Sequence, residues 1–204
     1  MPFLIKSQAD TLLRPFFNDF EQIMRAAWQD WRDNRLAAQM QHKRVRAAIV
    51  WNQMLAHAKR QFDGREDVTV DTVKEWEGIL IDGRIFIRMK KGTDKLLSRN
   101  FPTQTALAFH DQDQDLFGGI VRLELLYVLN TAETDIERIV LIQRHKKQIV
   151  WSIDLLDEAD DRHNVQPLIP LEPAPETGSV ADRIIKPKTD QIDKKQYGSS
   201  GVDS

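Results

Sequence analysis

The chain has 204 residues, room for one medium domain or a compact domain with appendages, and its 41% hydrophobic and 29% charged content is ordinary for a globular protein. A formal net charge of -2 gives no global pull toward nucleic acid or anionic lipid, so any such contact must be a local patch. The absence of cysteine excludes disulfides, thiol nucleophiles and cysteine zinc sites together. No run reaches membrane-spanning length and the apolar start is too short for a signal peptide, so the expectation is a cytoplasmic protein without membrane contact.

Residues 1–64 read as a helical segment. Phe16, Phe17, Phe20, Met24, Ala27, Trp28 and Trp31 recur at spacings of three and four, and Leu36, Met40, Ala47, Trp51, Met54, Ala58 and Phe62 form a second series. An unbroken rod over this stretch would reach about 70 Å, more than the domain needs. A break with Asp33 or Asn34 as cap, giving an αα-hairpin, is therefore the preferred reading over the single long helix.

Residues 65–158 read as a sheet domain with one short helix. A short strand over 68–73 precedes a β-hairpin over 76–90, turned at Asp82-Gly83, a dipeptide suited to a type I′ turn. That turn predicts Trp76 opposite Met89, Gly78 opposite Ile87 and Leu80 opposite Ile85 on one face. On the other face it sets Glu75 against Lys90 and Glu77 against Arg88, with Ile79 opposite Phe86 and Ile81 opposite Arg84. Asn100-Phe101-Pro102-Thr103 reads as a helix start, since proline suits the first turn and Thr103 can accept a bond from a free amide. Strand-like runs at 120–129, 136–143 and 148–155 follow, with 144–147 as a tip that sets Ile142 beside Ile149 and Val140 beside Trp151. Residues 159–204, rich in proline, acidic residues, serine and glycine, read as a disordered tail. The expected class is α+β: a helical hairpin or long helix packed on a mainly antiparallel sheet of about five strands.

The candidate chemistry is thin. Arg84, Arg88 and Lys90 flank Phe86 as in sheets that hold single-stranded nucleic acid, but the cross-strand glutamates are expected to cancel Arg88 and Lys90, leaving Arg84. Lys43, Arg44 and Arg46 make a basic helix face that could meet phosphates or an acidic protein surface, and otherwise serves as a solvated face. Trp28 and Trp31 are candidate interface anchors. His110-Asp111 is the pair used by metal-dependent phosphohydrolases, but no further ligands stand at the spacing such a site needs, so no metal or other cofactor is expected. Asp111, Asp113 and Asp115 start like a calcium loop that fails at Leu116 and Arg122. The chain carries no phosphate-binding Gly-rich loop, nucleophile elbow or His-Glu-x-x-His pair, and no Asp…Glu-x-Lys triplet of metal nucleases.

The stretches 82–91, 100–109, 122–130, 136–142 and 149–153 together resemble a family of small bacterial proteins encoded beside an Xre-type regulator carrying an ImmA/IrrE-type metallopeptidase domain. Such pairs look like toxin–antitoxin modules, including the anti-phage kind called RosmerTA. The resemblance implies an effector that acts through protein binding and is controlled by the Xre–metallopeptidase partner; it supplies no catalytic residue. Two alternatives stand beside it. One is a nucleic-acid-acting enzyme, a metal-independent ribonuclease using Arg84, Arg88, His110, Asp111 and nearby carboxylates. The other is a non-toxic nucleic-acid-binding accessory protein.

Overall fold

The computed structural model describes residues 3–98, 103–115 and 118–157. The tail reading of 159–204 and the Asn100–Pro102 part of the expected helix start fall outside these residues. Among the described residues no helix is long and apolar enough to cross a membrane.

Helix α1 (Lys6–Leu13) runs into a single 3-10 turn, Arg14–Phe16, before α2 (Phe17–Arg32). Pro15, which has no amide hydrogen to give, sits in that turn and restarts the helix there. The break expected near Asp33 is present. Asn34 Oδ1 accepts a hydrogen bond from the Leu36 amide at 2.9 Å, so Asn34 closes a turn rather than capping the next helix. A second 3-10 turn follows, and α3 (Lys43–Gln61) begins only after it. The two long helices are antiparallel: Phe62, just past α3, meets Phe16 and Phe20 near the start of α2 at ring-centroid distances of 6.3 and 6.4 Å. Gln61 Nε2 donates to Asp19 Oδ1 at 2.7 Å on the same side.

Strands β1 (Val68–Val73), β2 (Trp76–Ile81), β3 (Ile85–Lys91), β4 (Val121–Leu129), β5 (Ile136–His145) and β6 (Gln148–Asp154) form one six-stranded sheet in that spatial order. Every neighbouring pair is antiparallel except β3 and β4, which are parallel. A parallel neighbour needs a crossover, and the segment that supplies it carries α4 (Gln104–His110). Thr103 caps α4, its Oγ1 accepting from the Ala106 amide at 3.1 Å, as its position in the sequence predicts.

Both faces of the sheet are covered. Phe20, Met24, Val50 and Met54 of the long helices share one apolar core with Ile79, Ile81, Ile87, Met89, Leu123, Leu125, Ile139 and Leu141. On the opposite face Leu126, Val128, Val140 and Ile142 close under Leu96, and Trp76 and Phe86 close under Phe109 of α4. Strands buried on both sides lose the polar–apolar alternation that would reveal their facing in sequence.

That loss explains the first of two register differences. The hairpin pairs Ile79 with Ile87, Leu80 with Phe86 and Ile81 with Ile85, one residue away from the sequence expectation. Asp82 and Gly83 do adopt positive φ, and the Arg84 amide donates to the Ile81 carbonyl at 2.9 Å, but Arg84 belongs to the loop. The observed register gathers the four isoleucines 79, 81, 85 and 87 on the helix-covered face, where one slip would scatter them. The expected Glu77–Arg88 and Glu75–Lys90 pairs do not form, because the β2–β3 ladder ends at Ile79 and Ile87. Between β5 and β6 the turn is Lys146-Lys147 and a bulge follows, so Ile142 faces Ser152 and Val140 faces Asp154.

Gly78 marks the end of the short ladder. A Cβ there would collide with the Ile87 carbonyl oxygen and stand 2.9 Å from the tip of the Phe86 ring. Gly78→Ala is expected to cost about 2 kcal/mol or more of stability. A denaturant melt that leaves the midpoint unchanged would refute the close approach.

Candidate active site

The parallel β3–β4 ladder sets Arg88 beside Glu124, in the middle of the sheet and on the α4 face. On this face Phe86, Leu126, Val140 and Ile142 are apolar, while Lys90 and Arg122, two residues from Arg88 and Glu124 along their strands, are charged. Charged strand positions therefore break up the apolar face.

Two further elements bring partners. Arg144 enters from the end of β5, just beyond the bulge, and His110 comes down from the last turn of α4. The end of α4 is fastened to β4, β5 and the β5–β6 turn. The buried Arg122 guanidinium donates to the carbonyls of Ala108, Asp111 and Gln114 at 3.1, 2.8 and 2.9 Å, satisfying groups that a helix end leaves open. Gln112 Nε2 donates to the Arg122 and Arg144 carbonyls at 3.1 and 3.0 Å, and the Lys146 amide donates to the His110 carbonyl at 2.8 Å. Arg122 and Gln112 are thus positioning residues for the His110 ring.

His110 Nε2 lies 3.1 Å from Glu124 Oε1, in ion-pair range though without the alignment of a hydrogen bond, and 3.3 Å from Arg144 Nη1. Nε2 can either donate toward the carboxylate or accept from the guanidinium, so the tautomer decides which contact is bonding. Arg144 Nη1 also donates to Ser98 Oγ at 3.1 Å and stands 3.5 Å from Glu124 Oε2. The Arg88 guanidinium lies over the Phe109 ring at 4.4 Å, with Nη1 buried and unbonded; Arg144 Nε is also buried and unbonded. Lys90, two residues on from Arg88, is half-buried and has no carboxylate in ion-pair contact among the described residues.

Burial is the largest influence on Glu124 and pushes its carboxyl up, but His110, Arg144 and Arg88 together outweigh it and hold the group below its ordinary value. Burial lowers Arg88, with the Glu124 charge opposing. Burial and then Arg88 bring Lys90 down to about 8. One carboxylate therefore faces the three cations Arg88, Lys90 and Arg144. A buried ion pair is at best neutral for stability, and an excess of buried cations costs stability outright. Such a set leaves an excess of positive charge at this point of the sheet.

The residues singled out from sequence fall in different places. His110 points into the sheet, whereas the Asp111 carboxylate turns outward to the Asp113 amide and Gln114 Nε2, both at 3.2 Å. Arg84 sits exposed at the hairpin tip, four strand positions before Arg88 and so roughly 13 Å away. Trp28 is buried, its Nε1 donating to the Thr134 carbonyl at 3.3 Å, and Trp31 is half-buried against the same core. Lys43 and Arg46 converge with Lys91 on Glu133, which they hold far below the usual carboxylate range; the hydrogen bond from Arg46 is the largest cause. Arg44 stays exposed. Asp111, Asp113 and His145 have ligand atoms within 4.8 Å of one another, but the Lys146 ammonium already stands 2.8 Å from Asp113 and 3.7 Å from Asp111. Sequence reasoning misses Glu124 and Arg144, and it sets Lys90 aside through an expected pair with Glu75 that does not form. A signal exists for Glu124, which is a charge inside an otherwise apolar stretch of β4.

Compared with family models, curated proteins and solved structures, the chain matches none of them.

Lys90 gives a stability signature. Its folded-state pKa lies below its unfolded value, so the protonated form is disfavoured in the folded protein and wild-type stability rises as pH increases from about 8 toward 10.5. Lys90→Met is expected to be more stable than wild type by roughly 1 kcal/mol at neutral pH, an advantage that shrinks through that window. Thermal melts at pH 7 and pH 10 test this. Glu124→Gln, which strands the two arginines, is expected to lose about 3 kcal/mol or more.

Proposed function

We propose that the Arg88–His110–Glu124–Arg144 group is the catalytic site of a metal-independent ribonuclease. The observation that carries this reading is the imidazole 3.1 Å from a buried carboxylate, with two arginines on either side holding unused donors. A base oriented by a carboxylate is the arrangement that activates a hydroxyl. His110 Nδ1 has no hydrogen-bond partner among the described residues, and it is the nitrogen assigned here as the base. It takes the proton of a ribose 2′-hydroxyl. The 2′-oxygen then bonds to phosphorus, the bond to the 5′-oxygen breaks, and the leaving oxygen takes its proton from water. Glu124 holds the imidazolium that forms, and Arg88, Arg144 and Lys90 hold the charge that grows on the phosphate. One carboxylate among three cations suits a phosphate and repels a divalent cation, which favours this chemistry over a two-carboxylate metal nuclease.

Single-stranded RNA incubated with the full chain and a chelator is expected to yield 2′,3′-cyclic phosphate ends. His110→Ala should lower the rate by 100-fold or more, while Arg84→Ala, at the exposed tip, should not change it. The rate should fall above about pH 8 as Lys90 loses its proton, and Lys90→Arg should move that limb upward. A DNA-only or chelator-sensitive activity would defeat the assignment.

We further propose that the chain acts as the effector of a two-gene defence module held in check by an Xre–ImmA/IrrE-type partner, a reading supported by the resemblance across 82–153 alone. Because Trp28 lies in the core, the partner would meet the exposed apolar side chains Ile5, Leu12, Leu36 and Val45. Growth arrest on expression of the chain, relieved by the neighbouring gene, is the expected result. Unimpaired growth together with failure to co-purify would sink it.

A further inference from the structure

A concave feature lies between α3 and the ends of β3 and β4. It is a cavity of about 250 Å³ lined by Arg44, Ala48, Trp51, Lys90, Lys91 and Tyr127. Arg44, Ala48 and Trp51 share one face of α3 at spacings of four and three, so the small alanine leaves open space beside the indole ring. The Lys90 ammonium stands 5.7 Å from the centre of that ring. Arg44 and Lys90 have no ion-pair partner among the described residues, whereas Lys91 is committed to Glu133 at 3.1 Å. A flat aromatic face between two uncommitted cations offers stacking and phosphate contacts together. The volume falls below the roughly 300 Å³ at which small-molecule pockets begin, room for one nucleotide unit rather than an extended cofactor.

Lys90 ties this cavity to the site already described. It belongs to the same strand as Arg88 and lies two residues further on, about 6.6 Å along β3. Burial and Arg88 both act on its ammonium, so it feels the cationic group on one side while touching the Trp51 ring on the other.

Resting on the ribonuclease reading, we infer that this cavity is a nucleotide subsite for single-stranded RNA. It takes a base against Trp51 and the adjoining phosphate between Arg44 and Lys90, and so holds the RNA at the end of β3, the strand that also carries Arg88.

The test uses the full chain and a non-cleavable 2′-O-methyl octanucleotide, followed by fluorescence anisotropy as a function of salt, with inorganic pyrophosphate as competitor. Arg44→Ala, an exposed substitution that leaves the core intact, is expected to weaken binding about fivefold and to reduce the log–log salt slope by about 0.7. Trp51→Leu should weaken binding about tenfold with little change in slope, and Trp51→Phe should recover most of the loss, which separates stacking from misfolding. Unchanged affinity in both Arg44→Ala and Trp51→Leu overturns the subsite. So does pyrophosphate that competes as well as the oligonucleotide, since a bare phosphate site needs no base platform. Cleavage of unmodified RNA separates the two proposals. Binding that depends on Arg44 and Trp51 without cleavage keeps the subsite and removes the catalytic assignment. Cleavage whose KM is unmoved by Arg44→Ala keeps the catalytic assignment and removes the subsite. Loss of both binding and cleavage in the wild type removes both.

Discussion

The parallel pairing of β3 with β4 is the constraint on which the rest of the molecule turns. It places Arg88 level with Glu124 in the centre of the sheet, and it obliges the chain to cross over the sheet between them. The crossover carries α4, and α4 ends on His110. A carboxylate that burial alone would drive toward its neutral form is kept ionised by the charges that this topology collects around it. Had the two strands run antiparallel through a tight turn, there would be no crossover to deliver the imidazole.

Much of the remaining polar chemistry serves to hold that arrangement. Arg122 and Gln112 spend their donors on backbone carbonyls at the end of α4 and on the strands beneath it. Lys43 and Arg46 of α3 and Lys91 of β3 are fastened to the β4–β5 turn through Glu133. Their donors are engaged, although Gln112 Oε1 is buried without a partner, and their role is structural. The contrast lies with Arg88, Arg144 and Lys90, which keep unused donors or unmatched charge in surroundings that make both expensive. Function is read from that imbalance, since a core built only for stability would have filled these positions with apolar side chains.

The two faces of the sheet divide the labour. The long helices cover one with a continuous apolar core, and the crossover covers the other, where the buried strand positions include the charged residues Arg88, Arg122 and Glu124. The cavity beside Trp51 forms between α3 and the ends of β3 and β4. The short β2–β3 ladder matters here, because beyond Ile87 the β3 residues Arg88 and Lys90 are no longer paired to β2.

Local pattern determined a good deal by itself. The aromatic period over 16–31 wrote the buried face of α2, the Asp82-Gly83 pair wrote the turn, and Thr103 wrote the start of α4, because each depends on neighbours within a few residues. His110 and Arg88 could be marked as chemically able groups. What the sequence left open was every relation across the sheet. Strands buried on both faces carry no alternation to fix register, so the hairpin slipped by one and its supposed ion pairs dissolved. The meeting of Arg88, His110, Glu124 and Arg144 joins four elements separated by long stretches of chain, and only the tertiary packing of a parallel crossover brings such groups into reach of one another.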